Sequence, residues 1–168
     1  MKVSKIIDSD LIRFADLIIN HREIRQNKNA PKATYPSTGL IVVPVQPRPT
    51  ARLLKCYFNV RDAIAEEGGT AYFGWSLYDD RSGHYMAQHH AVWKRLDGSM
   101  IDVTPNELGY SSILFMADPR VPCDYESLRF PPALNWHSVF DQEFWSGPDG
   151  TVSPTYFLLR AEVEDELG

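Results

Sequence analysis

Leu11, Phe14, Ala15, Ile18 and Ile19 recur at spacings of three and four, which predicts an amphipathic helix over residues 9 to 25 with Ser9 as its cap. Residues 26 to 38 are polar and proline-containing and read as a connector. The run from Gly39 to Val45 then reads as a short buried strand that Pro44 pushes toward a sheet edge, and Pro47 and Pro49 end it. A second helix is predicted from Thr50 to Glu66 or Glu67, with Leu53, Leu54, Tyr57, Val60, Ala63 and Ile64 on its buried face. Gly68 and Gly69 stop it, because only glycine takes the left-handed conformation there without strain.

Residues 71 to 78, 84 to 95 and 99 to 104 are extended runs separated by turn chemistry, first 79 to 83 and then Asp97-Gly98, so an antiparallel meander is expected. Residues 111 to 116 and 156 to 163 add two further strands. Residues 118 to 154 mix proline, glycine and aromatics without a clean period and are expected to be irregular. The pattern as a whole predicts one α+β domain spanning residues 1–168, its helices packed on an antiparallel sheet of about four to six strands.

Composition narrows the function classes. The chain has 168 residues, 43% hydrophobic and 12% aromatic, enough for one core, and only 23% charged. Its net charge is −5 with the basic residues scattered, so no nucleic-acid partner is expected. Asp8, Asp10, Arg13 and Asp16 interrupt the N-terminal apolar stretch, which leaves neither an export signal nor a membrane span. A cytoplasmic location follows, and with it two thiols, Cys56 and Cys123, rather than a disulfide.

Chemistry enters with Cys56 on the second helix, His90 on the second run of the meander and Asp102 on the third. A thiol, an imidazole and a carboxylate in that order are the parts of a nucleophile, a base and an orienter. If Leu96, Asp97 and Gly98 form a three-residue loop, Arg95 faces Ser99, Val92 faces Asp102, and His90 shares a sheet face with the carboxylate as a diagonal neighbour. A two-residue Asp97-Gly98 turn instead puts Asp102 opposite Trp93 and gives His89 the shared face. In the first register Trp93, three residues beyond His90, points to the opposite face. A helix beginning near Lys55 places the thiolate at the positive end of the macrodipole; one beginning at Thr50 loses most of that benefit.

Other readings of the same residues stand beside this one. Cys56 can be a core residue, His90 a structural hydrogen-bonding group and Asp102 a turn cap, in a non-catalytic binding or scaffold domain. A zinc-binding domain could draw on Cys56, His84, His89, His90, Asp102 and Cys123, although no paired-ligand spacing is present and the adjacent His89 and His90 point to opposite strand faces. Glu66, Glu67, Asp79 and Asp80 are adjacent acids of the kind found in solvated turns. Phe130, Trp136, Phe140, Phe144, Trp145 and Tyr156 supply either core or the wall of a groove.

The segment from Cys56-Tyr57-Phe58-Asn59-Val60 through Gly68-Gly69, Gly74-Trp75 and His90-Ala91-Val92-Trp93 to Asp102-Val103-Thr104-Pro105 carries a resemblance over about residues 50 to 118. It resembles the cysteine, histidine and aspartate core of transglutaminase-like proteins within the papain-like cysteine hydrolases. It is also similar to a group of small uncharacterised bacterial proteins, which lends no activity. The first resemblance implies a transglutaminase-like or papain-like core and a thiol-dependent hydrolase or acyl transferase acting on a peptide or a small amide or ester, without cofactor or metal. Cys56 is then the nucleophile, His90 the base and later the acid, and Asp102 the group that sets the imidazole tautomer. The chain departs from that pattern in its short histidine-to-aspartate gap and in lacking a tryptophan after Cys56. Gln46, Gln88 and backbone N–H groups at the helix start are candidate oxyanion donors.

Overall fold

The computed structural model describes residues 8–21, 24, 35–79, 82–106, 109–121, 123, 129–130, 133–146 and 157–158, with side chains outside the description at 129–130 and 157–158. Its elements are α1 (Ser9–Asn20), β1 (Ile41–Pro44), α2 (Cys56–Glu67), β2 (Thr70–Asp79), β3 (His84–Lys94), β4 (Met100–Ile101), β5 (Ser112–Ala117), β6 (Arg129–Phe130), β7 (Ala133–His137), β8 (Gln142–Ser146) and β9 (Phe157–Leu158). The architecture is α+β. Seven strands form one antiparallel sheet in the order β1-β5-β2-β3-β7-β8, with β4 on β3, and β6 pairs separately with β9. β1 takes the edge that Pro44 requires, since a proline cannot donate to a second neighbour.

Two expectations about the sheet are corrected. It has seven strands, because part of the stretch expected to be irregular folds as the β7–β8 hairpin, and β6, from the same stretch, pairs with β9 outside that sheet. The alternation is hidden in β7 by Asn135, which is buried but fully engaged: its amide donates to Ser146 Oγ at 2.8 Å, and its carbonyl meets the His84 imidazole at 3.1 Å. Of the expected strand 156–163, Phe157–Leu158 is extended and the rest lies outside the described residues.

α1 ends at Asn20 rather than at residue 25, and its cap is Asp8, not Ser9: Leu11 N–H donates to Asp8 Oδ1 at 2.8 Å. Its stripe buries Leu11, Phe14, Ala15 and Ile18 against Trp75, Leu77, Leu134 and Trp136, each large apolar side chain contributing about 1.5–3 kcal/mol. Ile19, expected on that face, is 48% exposed. The end of the helix is tied down by Arg120, whose guanidinium donates to Ile18 O and Ile19 O and to the buried Asp118 carboxylate. Asp118 in turn accepts from Trp75 Nε1 at 3.0 Å.

α2 starts at Cys56 with Lys55 as its cap and no side-chain cap bond, so Thr50 does not begin it. Leu53 and Leu54, expected in the core, lie in the preceding turn at 40% and 69% exposure, and Leu54 has a φ of 62°. Tyr57, Val60 and Ala63 do bury, with Val43, Tyr72, Phe73, Val92, Trp93 and Phe115; Ile64 is partly buried against them, and Phe58, not expected on that face, is buried with them. The helix stops where expected. A Cβ on Gly69 would come within 2.4 Å of Lys94 O and 2.6 Å of Trp93 Nε1, so the chain can pass β3 there only as glycine.

Trp93 is 2% exposed, donates from Nε1 to Gly68 O at 2.8 Å, and carries the Arg48 and Arg95 guanidinium groups over its ring. It therefore secures the C-terminal end of α2, a full helix length from Cys56. Trp93→Ala is expected to cost about 3–5 kcal/mol in urea unfolding, while alkylation of Cys56 per folded molecule stays at the parental rate. Loss of both in equal measure would contradict this separation.

Candidate active site

The β3–β4 connection uses the three-residue loop. Gly98 sits at φ 87° and donates to Arg95 O at 3.0 Å, Arg95 N–H donates to Ser99 O at 2.9 Å, and Trp93 pairs with Ile101. Asp97 reinforces the turn by accepting from Ser99 N–H and Oγ. Continuing that ladder sets Asp102 opposite Val92, and the His90 imidazole and Asp102 carboxylate meet as diagonal neighbours, Nε2 to Oδ2, at 2.9 Å. Among the described residues β3 pairs with β7 over residues 84–87 and with β4 over 93–94, and His90 lies between these two stretches.

Asp102 is 3% exposed and held by its backbone as well as its side chain. Its N–H donates to Pro44 O at 2.9 Å, its carbonyl accepts from Gln46 N–H at 2.8 Å, and Oδ1 accepts from Thr104 N–H at 2.9 Å. The extension of β1 beyond Pro44 thus clamps the acid from the far side of the hairpin, through a parallel bridge between Val45 and Asp102.

Cys56 is the first residue of α2 and is 7% exposed. The first amides of a helix lack intrahelical acceptors and carry its positive pole, and both favour an anion at this position. Burial pushes the His90 imidazole down, but the Asp102 carboxylate and then Cys56, as charges and as hydrogen-bond partners, outweigh it and hold His90 well above the usual histidine range. Because Nε2 is committed to Asp102, Nδ1 is the nitrogen left for the thiol.

His89 has the opposite environment. It is 4% exposed, stacked near Phe73 and edge-on to Trp75, with Nε2 at Val121 O and Nδ1 3.0 Å from Tyr57 Oη. Nε2 meets a carbonyl, so it bears the proton, and Nδ1 can accept from the tyrosine. Burial drives its pKa down to about 4. His84 is engaged by Asn135, and among the described residues no three histidine, cysteine, aspartate or glutamate side chains cluster as a metal site. No disulfide joins the buried Cys56 and Cys123.

The remaining candidates separate from this centre. Glu66 and Glu67 pair with Arg48 on the outer face of α2. Trp136 and Trp145 are core, Phe140 and Phe144 are exposed, and Asp80 and Tyr156 lie outside the described residues, as does the Phe130 side chain. The Gln46 and Gln88 side chains are exposed. Sequence reasoning missed Tyr57, Asn59 and Thr104 as neighbours of the site, although all three stand in the two motifs that carry Cys56 and Asp102. Comparison of the chain with protein-family models, with curated proteins and with solved structures gives no significant match. Among the described residues no helix is long and apolar enough to cross a membrane.

His89 sets a pH dependence. Its folded-state pKa of about 4 lies below the unfolded value, so the unfolded chain binds the extra proton between about pH 6.5 and 4. The neutral ring's contribution is complete above pH 6.5 and is lost as pH falls toward 4. Across that window the parent should lose about 3 kcal/mol more than His89→Gln in urea unfolding. Parallel pH profiles for the two would contradict the neutral, buried assignment.

Proposed function

We propose that the chain is a thiol-dependent hydrolase or acyl transferase acting on a peptide or a small amide or ester, with a core of the transglutaminase-like or papain-like kind. The observation that supports this reading is the setting of His90, whose Nε2 lies 2.9 Å from a buried carboxylate that Thr104 N–H also anchors, with Cys56 at the helix start among the groups that raise its proton affinity. A structural histidine needs neither a raised proton affinity nor a cysteine partner, as His89 illustrates one residue away.

In this mechanism the Cys56 thiolate attacks the substrate carbonyl carbon while His90 carries the proton. The oxygen of the tetrahedral adduct is met by the backbone N–H of Cys56 in the first turn of α2, the donor whose place is set by the nucleophile itself. Collapse breaks the C–N or C–O bond, His90 gives its proton to the departing amine or alcohol, and a thioester remains. Water, or an acceptor amine or alcohol, then attacks the thioester carbonyl as His90 removes its proton, the C–S bond breaks, and Cys56 is regenerated. Asp102 holds the imidazole with Nδ1 toward sulfur and stabilises it while charged. A cytoplasmic setting keeps the thiol reduced for this chemistry.

The low exposure of Cys56 favours one other reading, a binding or scaffold domain in which the thiol is core. Iodoacetamide separates the two. The folded enzyme should alkylate at Cys56 already near pH 6, where an unassisted thiol, titrating near pH 8.5, reacts slowly. His90→Ala should slow that reaction about tenfold or more, and Asp102→Asn should do so without loss of fold, because the amide can hold the wrong tautomer and cannot stabilise the charged ring. His89→Ala should lower stability and leave the reaction per folded molecule nearly intact. Alkylation only on unfolding, or indifference to His90 and Asp102, would decide for the binding domain.

A further inference from the structure

Asn59 makes contacts that a helix residue chosen for packing would not need. It is 3% exposed, one turn beyond Cys56 and on the same side of α2. Its amide group is spent in two directions. Toward the chain entering the helix, Oδ1 accepts from Arg52 N–H at 2.9 Å and Nδ2 donates to Arg52 O at 2.7 Å. Toward the acid, Nδ2 donates to Thr104 Oγ1 at 3.2 Å. Asparagine is a poor helix former, and burying its amide is costly unless every bond is made, so its presence calls for a role that apolar packing cannot fill.

We infer that Asn59 is a positioning residue that sets the nucleophile against the histidine and the acid; the inference rests on the catalytic reading of Cys56. The contacts form a closed circuit. Asn59 holds Thr104, Thr104 N–H holds Asp102 Oδ1, Asp102 Oδ2 holds His90, His90 faces Cys56, and one turn of α2 returns from Cys56 to Asn59. In a ring of this kind each separation is determined from both sides, so opening the Asn59–Thr104 link frees the helix start to drift from the imidazole while every individual element persists. The second arm of the amide fixes the turn at residues 52–55, where Leu54 is held in a left-handed conformation that leucine disfavours. That arm keeps the first residue of α2 at Cys56.

The test is the pH profile of Cys56 alkylation by iodoacetamide, measured beside urea unfolding on the whole chain. Asn59→Ala should cut the rate near pH 6 by about tenfold and change it little near pH 9, where the thiolate forms without help. Thr104→Val opens the same link with both arms to Arg52 intact, and should reproduce that loss with a smaller change in stability. Thr104→Ser restores the hydroxyl and should return the profile to within about twofold of the parent. If Asn59→Ala does not fold, the Thr104 pair decides. A parent profile that depends on His90 but is unmoved by Thr104→Val would overturn the positioning role and leave the catalytic reading standing. A parent profile indifferent to His90→Ala would overturn both.

Discussion

The bond between His90 and Asp102 exists because the β3–β4 connection has three loop residues and not two. Strand side chains alternate with period two, so one residue of slip would carry Asp102 to the other face and exchange Ile101 with Met100 at the core. Gly98 accepts the left-handed turn, and Asp97 ties the exit of the loop to Ser99. β1 then adds an independent constraint from outside the hairpin, since Pro44 O and Gln46 N–H grip the backbone of Asp102 itself. Two elements far apart in sequence agree on one carboxylate.

The start of α2 depends on a comparable agreement between unfavourable and favourable local terms. Nothing in the helix propensity of residues 50 to 55 forbids a longer helix, and the buried-face pattern through Leu53 and Leu54 invites one. The chain turns instead, at a conformational cost of about 1–2 kcal/mol for Leu54 and with two leucines left in water. The two Asn59 bonds to Arg52 offset that cost, and their geometry requires residue 52 outside the helix. The result puts Cys56, rather than Thr50, where the helix presents its N–H groups.

What could be read from the chain, and what could not, follows the range of the interactions involved. Leu11 to Ile18 and the run 84 to 95 were legible because each carries its own period, and the Gly68-Gly69 stop because its cause is local. Cys56, His90 and Asp102 were legible as a candidate set, but the choice between His89 and His90 as the partner of Asp102 waited on a loop count that both turn types satisfy in sequence. The helix start stayed open between Thr50 and Lys55 because the decisive partner, Asn59, lies inside the helix and acts backward on Arg52. β7 was missed because Asn135 breaks the alternation, and a buried polar residue whose partners come from His84 and Ser146 looks like a loop residue until those partners are known.

The adjacent histidines show how little sequence distance matters once a strand is in place. His89 turns into a layer of Tyr57, Phe73 and Trp75 with only a carbonyl and a hydroxyl to meet, so desolvation wins and the ring stays neutral down to about pH 4. His90 turns to the other side, where desolvation is opposed by a carboxylate at 2.9 Å and by the thiol, and the charged ring is favoured. The same imidazole is thereby held neutral at one position and favoured in its charged form at the next. Tyr57 and Cys56 divide in the same way on the helix: one touches His89, the other His90. Packing the Tyr57 ring against His89 therefore adds a buried contact between α2 and β3 on the face away from His90, a contribution to stability rather than to the environment of the charged ring.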